Sequence, residues 1–282
     1  MEPGSTAPTH WVHDLSPFLI QFTDTIGIRY YGLGYMLGFA LGAWIIYHAA
    51  KTKRLPMTPG AVADLMTALM LGVIIGGRLG YFVLYDPAVF FQAPLELLKV
   101  WQGGMASHGG MVGVAVAMIW FARKHQIPFF KLADAVVTAA PPGLLLVRVA
   151  NFIKGELWGK VTEVPWAVIF PASEKVGTPI SLIAPRHPSQ LYQAGLEGLI
   201  LLIYTAWRYW RMPAARLTPG RITGEFLIGY AIARIIGELF REPDMGISLI
   251  FGLSRGTFYS LFFILAGAGI IRYSIKSKSH EG

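Results

Sequence analysis

Residues 62–85 read VADLMTALMLGVIIGGRLGYFVLY. These 24 consecutive residues carry two formal charges, Asp64 near the start and Arg78 well inside. A helix needs roughly 20 predominantly apolar residues to cross the hydrocarbon of a bilayer, and an ordinary surface helix of that length would show a polar face. The run therefore reads as a transmembrane helix. Its glycines at 72, 76 and 80 return every four residues and so share one face. In lipid, where apolar side chains gain little by leaving their solvent, such small-residue faces let two helix backbones approach closely.

Working outward from this run, comparable apolar stretches lie at 28–50, 104–122, 132–153, 189–208, 221–240 and 256–274. They are too long and too continuous for barrel strands, which alternate polarity over about 10 residues. The chain reads as an all-α polytopic membrane protein with seven transmembrane helices in a single transmembrane domain over residues 1–282. The composition agrees. Of 282 residues 54% are hydrophobic and 14% charged, the mean hydropathy is +0.50, and an ordinary soluble domain is about 25% charged.

Lys and Arg set the orientation. The links after the first, third and fifth runs, with the C-terminal tail, hold 13 of the 24 basic residues, and the first 27 residues hold none. Basic residues near span ends stay cytoplasmic, so the N-terminus is expected outside and the C-terminus in the cytoplasm. That places an external arm at 86–103 and a small, proline-rich external head at 154–188. Residues 1–27 lack a basic n-region, so no cleavable signal peptide is expected, and their Trp11, Phe18, Leu19, Ile20 and Phe22 suit a segment lying at the outer interface. The net charge of +8 falls on rims facing anionic lipid, which accounts for it without nucleic acid. With no cysteine in the chain, any thiol that reacts here must come from a substrate.

Further glycines at 34, 38, 42, 109 and 113 extend the small-residue packing pattern. Pro141 and Pro142 remove two backbone donors inside the fourth run and should break or kink that helix ahead of Arg148.

Arg78, Arg148 and Arg234 lie inside the second, fourth and sixth runs, where a bare charge costs several kcal/mol. All three fall toward the outer side in the derived topology and could converge on one anion. Arginine suits phosphate because its planar fork gives bidentate, charge-assisted hydrogen bonds. Arg148 and Asn151 share a helix face, and Glu156, beyond a turn permitted by Gly155, could return to fix a guanidinium. Structural readings also stand: Arg234 can pair with Glu238 one turn on, and Arg78 can snorkel to the interface. His108, opening the third run, is a candidate proton acceptor. Tyr31 and Tyr230 are candidate phenolic donors, with interfacial anchoring as the alternative. No nucleotide loop or zinc motif is present, and His187 lacks a second ligand at metal spacing, so no cofactor or metal is expected. On these residues alone, a transporter for an anionic solute remains an alternative to an enzyme.

Taken together, Arg29-Tyr30-Tyr31-Gly32-Leu33, Gly76-Gly77-Arg78-Leu79-Gly80-Tyr81, Gly104-Met105-Ala106-Ser107-His108-Gly109-Gly110, Asn151-Phe152-Ile153, Gly155-Glu156-Leu157-Trp158-Gly159, Arg186-His187-Pro188-Ser189-Gln190-Leu191-Tyr192 and Leu227-Ile228-Gly229-Tyr230 before Arg234 resemble the bacterial prolipoprotein diacylglyceryl transferases. The resemblance covers nearly the whole chain. It implies a plasma (inner) membrane enzyme of seven helices, active toward the outer leaflet. Such an enzyme moves the sn-1,2-diacylglyceryl group of phosphatidylglycerol to the thiol of the lipobox cysteine in a preprolipoprotein signal peptide. By position it marks His108, Arg148, Asn151, Glu156 and Arg234, with Tyr31 and Tyr230, as catalytic, and it sets Arg148, Arg234, Arg78, Gly109, Gly110, Gly159 and His187 against substrate. Val147, Ala150 and Lys154 around Arg148, and Thr257 after Gly256, depart from the family's usual residues.

Overall fold

The computed structural model describes residues 10–23, 26–85, 87–99, 104–213, 218–243 and 250–280. Asp86, Trp101 and Gly103 of the expected arm lie outside the described residues. Helix dominates the chain. Four helical stretches, Tyr30–Lys51, Pro59–Val83, Phe129–Lys154 and Arg255–Ser277, are long and apolar enough to cross a membrane. The other three expected spans also coincide with helix. The chain divides into two compact units, Ala43–Val136 and the remainder.

In the first of these units the end of α1 (Tyr30–Lys51) is followed by α2 (Val62–Tyr85), a short α3 (Pro87–Gln92) and α4 (Ser107–Lys124). The glycine face read from the sequence is the α2–α4 interface. A Cβ on Gly72 would stand 2.6 Å from the carbonyl oxygen of Gly113, and one on Gly76 would stand 2.4 Å from that of Gly109. No side chain fits in that gap, so the small residues are a steric requirement of the helix pair. Phe121, Leu65 and Leu132 are fully buried in this unit.

The other unit holds the N-terminal half of α1, α6 (Pro141–Lys154), α7 (Ser189–Gln193), a π-helical turn at Ala194–Ile200 running into α8 (Leu201–Arg211), α9 (Arg221–Phe240) and α10 (Arg255–His280). The two prolines act as expected: α5 (Phe129–Ala139) stops, and α6 restarts with Pro141 at its first position, where a missing N–H goes unneeded. Gly38 of α1 lies against Gly143 of α6, and Gly224 of α9 lies against Gly267 of α10. Strand β1 (Trp11–Val12) pairs in parallel with β4 (Val168–Ile169) of the head, while β2 (Phe18–Gln21) and β3 (Gly27–Arg29) form a hairpin. The hairpin leaves Leu19, Ile20, Phe22, Ile26 and Ile28 exposed.

Candidate active site

Glu197 organises the site. It sits in the π-helical turn and is 0% exposed. Arg148 of α6 donates to its Oε2 from both Nη2 (2.9 Å) and Nε (3.3 Å), and Nη1 of Arg234 on α9 reaches its Oε1 at 3.4 Å. Arg234 also pairs through Nη2 with Glu238 at 2.6 Å, and Arg241 pairs with the same Glu238 oxygen at 3.3 Å. Three guanidinium groups thus share two carboxylates. Arg148 and Arg234 are 16% and 14% exposed in their side chains, and Nη1 of Arg148 has no hydrogen-bond partner among the described residues. A buried carboxylate that fixes two forks while leaving donors unused preorganises a binding site for an anion.

The local backbone explains the convergence. Gly198, next to Glu197, lets the π turn close on α6: a Cβ there would stand 2.6 Å from Leu145 Cα. The π turn widens the helix by a residue, a distortion found mostly at functional sites. On the other side Gly256, at the start of α10, leaves room for the Arg234–Glu238 pair, since a Cβ would fall 2.9 Å from Glu238 Oε1 and 3.1 Å from Arg234 Nε.

The end of α6 differs from expectation. Gly155 caps it in the left-handed conformation (φ 69°), as the sequence allows, but Glu156 does not return to a guanidinium. Its carboxylate takes Lys154 Nζ at 2.5 Å. With the Asn151 amide oriented to face its acceptors, Asn151 donates to Glu156 Oε1 (3.2 Å) and to the Val147 carbonyl (3.3 Å). The reason is distance along the chain: the glycine turn folds Glu156 back onto the last turn of its own helix, where Lys154 and Asn151 are nearest. Lys154, the added positive charge next to the site, is thereby neutralised. Gln190 and Ser189 hold this turn by donating to the carbonyls of Glu156 (2.6 Å) and Leu157 (2.9 Å).

Tyr31 and Tyr35, one turn apart on α1, share a hydroxyl contact of 3.2 Å, and Tyr35 feels the charges of Arg148 and Glu156. Tyr230 stacks on Phe226 and feels Glu197, Arg234 and Arg148.

Arg78, Gly109, Gly159 and His187 make contacts within the scaffold. Arg78 is buried, not snorkelling. Its fork donates to the carbonyls of Glu96 (2.6 Å), Lys99 (3.0 Å), Gly104 (3.2 Å) and Leu97 (3.3 Å), and its guanidinium lies 4.7 Å from the Phe82 ring. Arg148 and Arg234 thus share Glu197, while Arg78, in the unit Ala43–Val136, donates to the arm. Gly109 belongs to the α2–α4 contact, and Gly110 lies beside Val73. His108 is described only as the second residue of α4. Gly159 admits no side chain, because a Cβ would meet the Phe240 carbonyl at 2.5 Å and His187 at 2.6 Å. His187 contacts the Tyr192 hydroxyl through Nδ1 (3.1 Å) and packs on Phe240. Burial, and then the charge of Lys160, hold its imidazole below the ordinary histidine value.

Residues 17–273 match the family model for prolipoprotein diacylglyceryl transferase. The chain belongs to that family. It is 43% identical over 259 residues to the phosphatidylglycerol--prolipoprotein diacylglyceryl transferase of Rhodospirillum centenum, covering 91% of each chain. It is 44% identical over 241 residues to the protein of that name in Ruegeria pomeroyi, covering 82% of this chain and 81% of the relative. To the one in Aeromonas salmonicida it is 44% identical over 260 residues, covering 92% and 90%.

For this diacylglyceryl transferase family member, the structure adds Glu197, Tyr35 and Gly256 to the residues read from the sequence. Glu197 was findable. The cost that singles out an arginine inside an apolar run applies equally to a glutamate in the middle of 189–208. Tyr35 lies one turn from Tyr31 and so on the same face. Gly256 carries no such signal, because only the approach of α9 gives it meaning.

Proposed function

We propose that this chain transfers the sn-1,2-diacylglyceryl group of phosphatidylglycerol to the thiol of a lipobox cysteine in a preprolipoprotein, forming a thioether and releasing glycerol phosphate. The protein is a seven-span protein of the bacterial plasma membrane, N-terminus outside, with its site toward the outer leaflet. The observation that carries the reaction is the Arg148–Glu197–Arg234 arrangement: two fixed forks on one buried carboxylate and an unused donor, in a member of a family of that name.

In this reading the phosphate of phosphatidylglycerol meets Arg148 and Arg234. The thiolate sulfur attacks the glyceryl carbon bearing the phosphate. As that carbon–oxygen bond breaks, negative charge grows on the departing glycerol phosphate, where preorganised guanidinium groups lower the barrier most. His108 accepts the thiol proton, Asn151 and Glu156 steady the end of α6 that carries Arg148, and Tyr31 and Tyr230 donate to oxygens of the lipid. No metal or cofactor enters the balance.

The test is direct. Purified protein is incubated with phosphatidylglycerol and a lipobox peptide, and the peptide is weighed. A gain of one diacylglyceryl group, absent when the peptide cysteine is serine, is expected; no gain would overturn the proposal. His108→Gln is expected to lower turnover most where the thiol must be deprotonated, below its own pKa, and unchanged turnover across neutral pH would remove His108 from proton transfer.

A further inference from the structure

Gln190, Gln193 and Glu197 return at intervals of three and four residues along α7 and the π turn, so they form a stripe on one face. All three are buried, at 0%, 1% and 0% exposed. The ends of the stripe are engaged. Glu197 holds Arg148 and Arg234, and Gln190 donates from Nε2 to the Glu156 carbonyl at the end of α6. The middle is not. Gln193 makes no side-chain hydrogen bond among the described residues: its Nε2 is enclosed without a partner, and Oε1 of Gln190 is enclosed in the same way.

Gln193 faces the arginine side of α9. A Cβ on Gly237 would stand 3.0 Å from its Cγ and 3.4 Å from its Nε2, and Gly237, three residues beyond Arg234, shares the helix face of that arginine. The two helices run antiparallel, since Glu197 reaches Arg234 while Gln193, four residues earlier, meets Gly237. The amide therefore lies about one turn, roughly 5 Å, from the level at which Arg234 meets Glu197.

A buried donor and a buried acceptor left unpaired on one face call for a partner. The two do not bond each other, so a group that serves both must accept from Gln193 Nε2 and donate to Gln190 Oε1. A phosphate oxygen only accepts and an ammonium only donates, whereas a hydroxyl does both. Enclosure strengthens the discrimination, because bulk water does not compete for either atom.

We propose that Gln193, with Gln190, receives a hydroxyl of the glycerol head group of the phospholipid whose phosphate is at Arg148 and Arg234, and so is specificity-determining for phosphatidylglycerol over lipids whose head group has no hydroxyl. The proposal rests on the phosphate-clamp reading above and deepens it. The guanidinium groups take the charge that anionic phospholipids share, and the amides take the part that distinguishes this one.

The experiment is a competition between two lipids of equal charge. An equimolar mixture of phosphatidylglycerol and phosphatidylethanol, the second with deuterated acyl chains, is offered with a lipobox peptide, and the product masses give the ratio in which the two were used. The unsubstituted protein is expected to favour phosphatidylglycerol. Gln193→Met keeps the length and bulk of the side chain and removes the amide, and it should lower that preference on the order of ten-fold, the worth of one hydrogen bond. Gly237→Ala places a methyl group against the amide and shifts it without changing its chemistry, so a smaller fall is expected; this variant decides if Gln193→Met does not fold. A preference unchanged by the substitution would show that the amides hold water alone and would overturn the proposal, as would equal use of the two lipids by the unsubstituted protein. Native mass spectrometry of the lipids retained by each sample gives the same ratio where no peptide is modified. Absence of transfer from either lipid by the unsubstituted protein counts against the enzyme reading, and a retention ratio unmoved by the substitution counts against the amides.

Discussion

Arg78 and Arg148 have the same signature in the sequence, a lone arginine deep in an apolar run, and opposite surroundings in the structure. Arg78 donates to neutral backbone acceptors. Four backbone carbonyls take its fork, and these contacts tie Glu96, Leu97, Lys99 and Gly104 to α2. Arg148 meets a buried carboxylate that it shares with Arg234, and it retains an unused N–H. The lesson concerns partners. A buried arginine saturated by backbone carbonyls is a structural hub, whereas one fixed on a side by a shared carboxylate is an oriented tool with capacity left for a ligand.

The contrast can be broken or sharpened by experiment. The largest effect is expected at Arg148. Arg148→Lys keeps the charge and loses the fork, and turnover of phosphatidylglycerol with a lipobox peptide should fall on the order of 100-fold or more. Unchanged turnover would put Arg148 in the same class as Arg78. Next comes Glu197→Gln. Removing one partner of a buried ion network leaves guanidinium groups uncompensated, which costs roughly 3–5 kcal/mol, and both thermal stability in detergent and turnover should drop. Retention of both would show that the arginines find their own positions.

Arg78→Lys is the sharper comparison. A lysine offers three donors from a point charge in place of a planar fork, so the arm should loosen and become cleavable by limited proteolysis within 87–99, while the KM for phosphatidylglycerol stays within about three-fold. An intact arm with a raised KM would return Arg78 to the substrate. Smaller still is Lys154→Ala. Its pair with Glu156 is half exposed, and such pairs contribute about 0–1 kcal/mol, so stability and turnover should change little. A large loss would mean that this basic residue acts on the substrate.

The smallest effect concerns pH. His187 is held below its unfolded value by burial and by Lys160, so the unfolded chain takes up this proton first on acidification. Stability should be fully present above about pH 6.5, the unfolded histidine value, and decline below it. His187→Gln should flatten that part of the melting profile against pH; an unchanged profile would assign the decline to another group.

Much of the architecture was legible because lipid is a demanding solvent. The run at 62–85 announces a span, and its glycines announce a helix contact, for reasons of length and bulk that need no partner to be known. The contact of Gly72 with Gly113 and of Gly76 with Gly109 realises that face. Pro141 and Pro142 likewise fixed the break before α6, since a missing N–H acts locally. Two expected spans, 189–208 and 221–240, contain charges that an isolated membrane helix would have to leave in lipid. On α9 those charges meet Glu197, Arg208 and one another, which is why its sequence is polar where its structure is satisfied.

The site was legible as a set of costly residues and illegible as a set of pairs. Sequence spacing offered Glu156 to Arg148 because both lie at one helix end, yet the carboxylate that Arg148 uses comes from 49 residues further on. What the sequence determined by itself was a membrane-embedded helical chain with arginines that require an explanation, because transfer of apolar length and buried charge is priced residue by residue. Which arginine meets backbone carbonyls and which a buried carboxylate was decided only in three dimensions, where a π turn carried Glu197 between α6 and α9 and the arm's carbonyls came to Arg78.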